Sequence, residues 1–171
     1  SWIVRAREDA RALPGIDNVD ISGLRDPVME KISSMIKEIE GSVIEFPIGK
    51  DAPVPTDAPK LETAVDKLVE LEKTVRDIGF SVSLTIYGHA DSSGSDKRNY
   101  EISQARARTV AAMLYARGSS MPISMYGMGA EYPKSKGEQA KDDQASRRVE
   151  LRGHVLPPAA PEHETICLSI P

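Results

Sequence analysis

The chain has 171 residues, with 22 Lys and Arg against 26 Asp and Glu, so its formal net charge is −4 at neutral pH. This length suits one ordinary domain with short flanking segments. The acidic balance argues against sequence-independent nucleic-acid binding, which needs a basic face. Cys167 is the single cysteine, which excludes an internal disulfide and a zinc site built from cysteines.

The sequence predicts no membrane-spanning helix. The longest uninterrupted apolar stretch, residues 110–116, has seven residues, whereas a spanning helix needs about 20. The first residues lack the basic and apolar regions of a signal peptide. Because Ser1 is an unusual start, we expect the chain to be a fragment whose membrane anchor lies upstream.

The N-terminal segment, residues 1–41, predicts a small helical appendage. Short helices are expected over 3–13 and 28–39, with a short strand over 19–21 between them. Residues 12–20 resemble part of the BON-type modules, and this resemblance implies a helix-strand unit that packs on its neighbour or contacts phospholipid. The alternative is a linker that folds back on the main domain.

The main domain is expected over residues 42–155. A buried strand is predicted over 42–46, and a loop over 47–59 contains four prolines. Apolar residues then recur every three or four positions from 61 to 78, which predicts a long amphipathic helix. Alternation over 82–86 predicts a strand. It is followed by a turn over 88–95, a helix over 99–117, a strand over 123–128, a charged loop over 129–146 and a last strand over 148–155.

This order, strand, helix, strand, helix, strand, strand, predicts an α/β (α+β) sandwich with an open sheet and helices on one face. Residues 156–171 form a proline-containing tail.

Arg106 is the residue that does not fit its surroundings. It stands four residues after Ile102 and four before Val110, so it shares their apolar stripe on the predicted helix. A guanidinium is costly to bury without an anionic partner. The nearest candidate carboxylate is Asp91, in the turn that leads into this helix.

Two interpretations of Asp91 and Arg106 stay open from spacing alone. The first is an internal salt bridge that fixes the strand-helix corner. The second is a clamp for a zwitterion, in which Asp91 binds an ammonium group and Arg106 binds a carboxylate through its forked donors. The helix N-terminus near Asn99 would then supply unpaired backbone N–H groups as a second anion site.

Four segments carry a resemblance to a known family. They are residues 87–95 (YGHADSSGS) with Asn99 after them, residues 102–107 (ISQARA), residues 126–133 (YGMGAEYP) and residues 146–150 (SRRVE). In this order they resemble the OmpA-like C-terminal domain, the peptidoglycan-associated module also found in Pal lipoproteins and flagellar stator proteins. The resemblance covers about residues 43–152.

The resemblance implies non-covalent binding of meso-diaminopimelate in peptidoglycan stem peptides. The family's two principal ligand residues fall on Asp91 and Arg106, and Asn99 matches the asparagine that helps to hold the ligand. Arg147 and Arg148 match a pair of arginines, one of which commonly lies beside the pocket. Ala90 stands where threonine is usual, Ser146 where asparagine is usual, and Arg98 where an apolar or aromatic residue is common.

The other candidate chemistries are weaker. His89, Asp91 and Ser92 share one turn, whereas a catalytic serine needs a histidine base across a cleft. A metal site on His89 and Asp91 lacks further ligands, because His154 and His163 have no ligand spacing. We therefore predict a hydrogen-bonded structural His89 and neither a metal nor another cofactor.

The sequence as a whole predicts a non-enzymatic domain that tethers an envelope protein to the cell wall. The expected ligand residues are Asp91, Arg106, Asn99, Ile102, Arg147, Arg148 and His89. The expected location is the periplasmic side of the bacterial envelope, associated with the outer membrane through the upstream anchor. The alternatives are a module that binds another envelope protein, with Asp91 and Arg106 paired internally, and an amidase that cleaves the wall.

Overall fold

A computed structural model describes residues 26–140 and 142–157. Three helices lie in this part of the chain, α1 (Pro27–Gly41), α2 (Ala58–Asp77) and α3 (Asp96–Ala116). Four strands accompany them, β1 (Ile44–Glu45), β2 (Ser81–Gly88), β3 (Ile123–Gly127) and β4 (Arg148–Leu156). Two 3₁₀ turns, Gly137–Ala140 and Gln144–Ser146, interrupt the loop before β4. The predictions over 3–13, 19–21 and most of the tail lie outside the described residues.

The strands form one open sheet in the order β1-β4-β2-β3. β2 pairs in parallel with β3 and antiparallel with β4, which in turn pairs antiparallel with β1. The parallel pair needs a crossover connection, and α3 provides it. β2 and β3 therefore end at the same edge of the sheet, with Gly88 opposite Gly127.

The helices pack on one face of the sheet. Val82, Leu84 and Ile86 of β2 point to this face and are buried, while the side chains between them are partly exposed. This alternation confirms the predicted strand and the α+β sandwich with helices on one face. α1 contributes Ile32 and Ile39 to the same core, so its apolar stripe is covered by the main domain.

Two of the described helices begin directly after a residue whose side chain caps them. Asp26 caps α1 by accepting a hydrogen bond from the Val28 amide at 2.9 Å. Ser95 caps α3 by accepting from the Arg98 amide at 3.3 Å. The prediction that this helix begins near Asn99 was wrong, because the Ser95 cap places its first residue at Asp96.

α3 lies unusually close to the sheet at Gly88 and Gly127. A Cβ on Gly88 would lie 1.9 Å from the carbonyl oxygen of Ser103, and a Cβ on Gly127 would lie 2.8 Å from the Gln104 amide. Gly88 was predicted to be part of a turn, but it is the last residue of β2. Its lack of a side chain allows the helix backbone to approach, which brings Arg106 up to the end of the strand.

Candidate functional site

A cleft of about 190 Å³ opens where the segment after β2 passes α3. Its position follows from the fold, because polar loops at the ends of parallel strands meet at one edge of a sheet. The cleft is lined by Ile48, Gly49, Ala90, Asp91, Ser93, Gly94, Arg98, Asn99, Ile102, Arg106 and Arg147.

Asp91 is buried at one side of this cleft and is held as a carboxylate. Its Oδ1 accepts hydrogen bonds from the Ser93 hydroxyl at 2.5 Å and the Ser93 amide at 3.2 Å. Its Oδ2 accepts from Arg147 Nη1 at 2.6 Å. Burial opposes the charge, but the bonds from Ser93 and Arg147 outweigh it and lower the pKa of Asp91.

Arg106 is 1% exposed and is held by three backbone carbonyl groups. Its Nε donates to the oxygen of Lys50 at 3.0 Å, and its Nη2 donates to that of Pro47 at 3.0 Å. Its Nη1 donates to the oxygen of His89 at 2.7 Å. The Phe46 ring lies 5.4 Å from the guanidinium carbon. Arg106 is therefore buried on the apolar stripe, with carbonyl oxygens rather than a carboxylate around its guanidinium.

The internal salt bridge between Asp91 and Arg106 is not formed. Arg147 occupies the position next to the Asp91 carboxylate, and no described carboxylate oxygen lies within 4.0 Å of an Arg106 nitrogen. Burial lowers the pKa of Arg106 to about 10, and the charge of Asp91 offsets part of this effect. Arg106 therefore stays a cation at neutral pH, with dipoles but no carboxylate in contact.

The two sides of the cleft differ in charge balance. On the first side, Arg147 Nη1 contacts two carboxylates, Asp91 at 2.6 Å and Asp142 at 2.8 Å. On the other side, Arg106 contacts neutral carbonyl oxygens alone. A guanidinium has five N–H groups, and the described residues accept three of those on Arg106. The cleft thus has a carboxylate that is paired with Arg147 on one side and, on the other side, a cation without a contacting carboxylate.

Asn99 and Ile102 lie on the first turns of α3 and line the cleft. Asn99 is buried and its Nδ2 donates to the Gly94 oxygen at 3.3 Å. Its backbone N–H donates to the Ser95 oxygen at 2.8 Å. The prediction of an unpaired backbone N–H at Asn99 was therefore wrong, because the helix has already begun there.

His89 and Arg148 do not line this cleft. Their side chains lie in a second cavity, on the sheet face opposite the helices, because successive residues of an extended chain point to opposite sides. Arg148 Nε donates to Glu150 Oε1 at 2.7 Å. The predicted hydrogen-bonded His89 was wrong, because neither ring nitrogen has a partner among the described residues.

Two of the three residues that depart from the family pattern line the cleft, and the third does not. Ala90 and Arg98 line the cleft, and Arg98 is exposed. Ser146 lies elsewhere, where its hydroxyl donates to Asp143 Oδ2 at 2.6 Å and accepts from the Lys134 amide at 2.8 Å. Ser146 therefore stabilises the loop before β4.

Sequence reasoning missed two features of the cleft. The first is Ser93, for which the spacing Asp-x-Ser was a usable signal, because aspartate commonly bonds the backbone two residues on. The second is the loop of Pro47 and Lys50, whose carbonyl groups hold Arg106. No local pattern indicates that contact, because it joins residues more than fifty positions apart.

Residues 26–140 and 142–157 contain neither a metal-binding cluster nor a membrane-spanning helix. No cluster of three or more His, Cys, Asp or Glu is arranged to hold a metal ion. No helix in the described part of the chain is long and apolar enough to cross a membrane.

The open sheet, the helices on one face and the cleft at the strand ends define an α+β sandwich with a site of two opposite charges. A model of the OmpA family matches residues 57–148. The chain therefore belongs to the OmpA family, as the sequence motifs predicted.

The curated relatives include the peptidoglycan-binding protein ArfA of Mycobacterium tuberculosis, which is 28% identical over 143 residues. The match covers 80% of this chain and 41% of that protein, so the chain spans about two fifths of the length of its relative. The same protein of Mycobacterium bovis matches equally.

Solved structures share the fold. The peptidoglycan-associated lipoprotein from Burkholderia pseudomallei is 20% identical with a TM-score of 0.54, and the match covers 66% of this chain and 90% of that one. The OmpA-like domain of FopA1 from Francisella tularensis is 24% identical with a TM-score of 0.50, and the match covers 67% and 71%.

Proposed function

We propose that the chain binds peptidoglycan non-covalently and tethers an envelope protein to the cell wall, with meso-diaminopimelate held between Asp91 and Arg106. The observation that carries the proposal is the burial of Arg106 beside an open cleft without a contacting carboxylate. Such a cation is costly unless an anion completes it. A ligand carboxylate would supply that anion with two charge-assisted hydrogen bonds.

The other side of the cleft favours an ammonium group on the same ligand. Asp91 is the carboxylate that lines this side of the cleft, where Arg147 is paired with it. A carboxylate has about four acceptor positions, and the three hydrogen bonds to Asp91 leave room for one more. An amino acid whose ammonium and carboxylate share one carbon matches both sides at once.

Diaminopimelate fits this description within peptidoglycan, because one end of the residue keeps a free ammonium and carboxylate when the other end is joined into the stem peptide. Ile102, partly exposed at the cleft wall, offers apolar contact for the methylene chain. Asn99 would add a polar contact at the same wall. The name of the mycobacterial relative, a peptidoglycan-binding protein, supports the same ligand class.

The proposed role is binding, in which no bond is made or broken. The site lacks a nucleophile with a base across the cleft, and its polar groups are those that recognise charge. Such a protein acts in the cell envelope, where peptidoglycan lies, and we place it on the periplasmic side at the outer membrane. His89 and Arg148 are assigned no direct contact with diaminopimelate, because their side chains line the other cavity.

The test compares Arg106→Met with Arg108→Met. Both variants remove one arginine from α3, but Arg108 is exposed and lies outside the cleft. Loss of two charge-assisted hydrogen bonds, each worth about 1.5–3 kcal/mol, predicts at least a hundredfold weaker binding of Arg106→Met. Free meso-diaminopimelate is titrated into each protein by calorimetry, and sedimentation with purified sacculi is measured in parallel.

Circular dichroism confirms first that both variants are folded. Amidation of the free carboxylate of diaminopimelate supplies a second measurement, because it removes the anion that Arg106 would bind. Equal affinity of wild type and Arg106→Met for the free amino acid, or equal affinity of the wild type for the acid and the amide, would refute the proposal.

A further inference from the structure

A second cavity lies on the sheet face that the described helices leave uncovered. It has a volume of about 510 Å³, and we call it the sheet groove. It is lined by Tyr87, His89, Met128, Tyr132, Arg148, Glu150, Arg152 and His154. None of these residues lines the cleft described above, to which His89 contributes its backbone carbonyl as a partner of Arg106.

His89 is the first sign that the sheet groove is a binding site. The residue is 5% exposed, and neither of its ring nitrogens has a hydrogen-bond partner among the described residues. A neutral imidazole carries one donor and one acceptor, and leaving such groups buried and unpaired is costly. The Tyr132 ring meets the His89 ring edge-on at 6.2 Å and is 55% exposed. The exposed Tyr132 ring therefore lies against the His89 imidazole at the groove.

Aromatic surface beside the sheet groove is the second sign. Tyr87 and Tyr126 stack across β2 and β3 with ring centroids 5.7 Å apart and planes 21° apart. Tyr87 lines the groove, and its stacking partner Tyr126 is 51% exposed. Flat aromatic rings next to polar groups suit a ligand that has an apolar face and a polar rim.

The charges in the sheet groove are paired with each other. Arg148 bonds Glu150 at 2.7 Å. Arg152 lies 3.6 Å from Glu40 and 3.7 Å from Glu150. Lys134 lies 3.4 Å from Glu150 as well. Because each charged side chain that lines the groove already has an ionic partner, the groove favours a ligand that bonds through hydroxyl and amide groups. A sugar ring has this chemistry, with axial C–H groups on its faces and hydroxyls around its edge.

We propose that the sheet groove binds an N-acetylated hexosamine of the glycan strand, while the stem peptide of the same strand occupies the cleft. This inference deepens the proposed function and rests on it. The segment from His89 to Asp91 runs from the groove to the cleft, and the consecutive Arg147 and Arg148 line one site each. Both cavities therefore lie at the same end of β2, and a three-residue stem peptide spans about 10 Å. We expect one muropeptide to reach both sites.

The experiment measures how much the sugar adds to binding. Calorimetry compares the tripeptide L-alanyl-γ-D-glutamyl-meso-diaminopimelate with the same tripeptide on its N-acetylglucosaminyl-N-acetylmuramyl disaccharide. The wild type is expected to bind the disaccharide form at least tenfold more tightly. The double variant Tyr126→Ala, Tyr132→Ala should lose this gain and keep the affinity for the free tripeptide. Tyr115→Ala, an exposed tyrosine of α3 outside the groove, should keep the gain.

A second arm separates failure of the groove from failure of the cleft. The tetrasaccharide of N-acetylglucosamine, which has no peptide, is titrated while the amide resonances of Tyr126 and Tyr132 are followed. The tetrasaccharide should shift these amide resonances in wild type and in Arg106→Met, and the shifts at positions 126 and 132 should vanish in the double tyrosine variant. This result supports sugar binding in the groove even if the tripeptide does not bind. Absence of such shifts, or an equal affinity of the wild type for the tripeptide with and without sugar, would overturn the proposal.

Discussion

The His89 ring predicts a specific dependence of stability on pH. Burial, together with the charge of Arg148, lowers the pKa of His89 from 6.5 to about 4, and Glu150 opposes this effect only in part. Lys134 acts in the same direction as Arg148. The folded protein therefore keeps the ring neutral at pH values where the unfolded chain already binds a proton.

The sign and size of the effect follow from this difference. Above pH 6.5 both states are neutral and stability is unaffected, whereas between pH 6.5 and 4 the unfolded state binds more protons and is favoured. One pKa unit corresponds to 1.36 kcal/mol. The shift of His89 from 6.5 to about 4 then removes about 2 kcal/mol at pH 5 and about 3 kcal/mol at pH 4. This is a large fraction of the 5–15 kcal/mol that stabilises a typical domain.

The assay is urea unfolding, followed by far-UV circular dichroism, of wild type and His89→Phe from pH 7.5 to pH 4. Phenylalanine keeps a ring against Tyr132 but cannot bind a proton. Carboxylates such as Asp91 and Glu150, whose pKa values are lowered, affect both proteins below about pH 4.5. The free energy of unfolding of the wild type should therefore fall by about 3 kcal/mol more than that of His89→Phe between pH 7.5 and 4, because only the wild type carries the His89 proton-binding site. Curves that stay parallel from pH 7.5 to 4 would refute the reasoning.

Three further predictions follow from single contacts. Gly88→Ala should lower the free energy of unfolding in urea by more than about 3 kcal/mol, because its Cβ would lie 1.9 Å from the Ser103 carbonyl oxygen. Gly41→Ala is the control: its Cβ would meet open space, so the free energy of unfolding should change by less than about 1 kcal/mol. Glu72→Ala should lower the free energy of unfolding by about 2 kcal/mol, because three hydrogen bonds from serines lose their acceptor. An unchanged urea midpoint of unfolding would contradict this prediction. Binding of diaminopimelate should persist from pH 7 to 5, because the lowered pKa of Asp91 keeps its carboxylate ionised throughout this range. A loss of binding at pH 6, measured by calorimetry, would argue against Asp91 as the ammonium partner.

The cleft explains why a buried arginine is tolerated in this fold. Three carbonyl oxygens replace the water that Arg106 loses, so the side chain is oriented before any ligand arrives. Such preorganisation lowers the cost of ordering side chains on binding. The Pro47 and Lys50 carbonyls also tie the loop after β1 to α3, which fixes one wall of the cleft.

The sequence by itself determined the order and type of the main helices and strands, and the position of Arg106 as a charged residue on an apolar helix stripe. Period-two alternation in β2 and the three-to-four spacing in α2 are local properties of the chain, and the structure has both elements. Arg106 could be located for the same reason, since one charged residue on an apolar stripe is visible from spacing alone. The motifs placed Asp91, Asn99 and Arg147 beside it, and the structure brings all three to the cleft.

Only the tertiary structure decided which groups meet these residues. Arg147 pairs with Asp91 across 56 positions, and Pro47 bonds Arg106 across 59. Such partners depend on how helices and loops pack, which no local periodicity encodes. Arg147 and Arg148 lie in two different cavities, because an extended backbone directs neighbouring side chains to opposite faces. Only the packing of the chain decides which residues each face contacts.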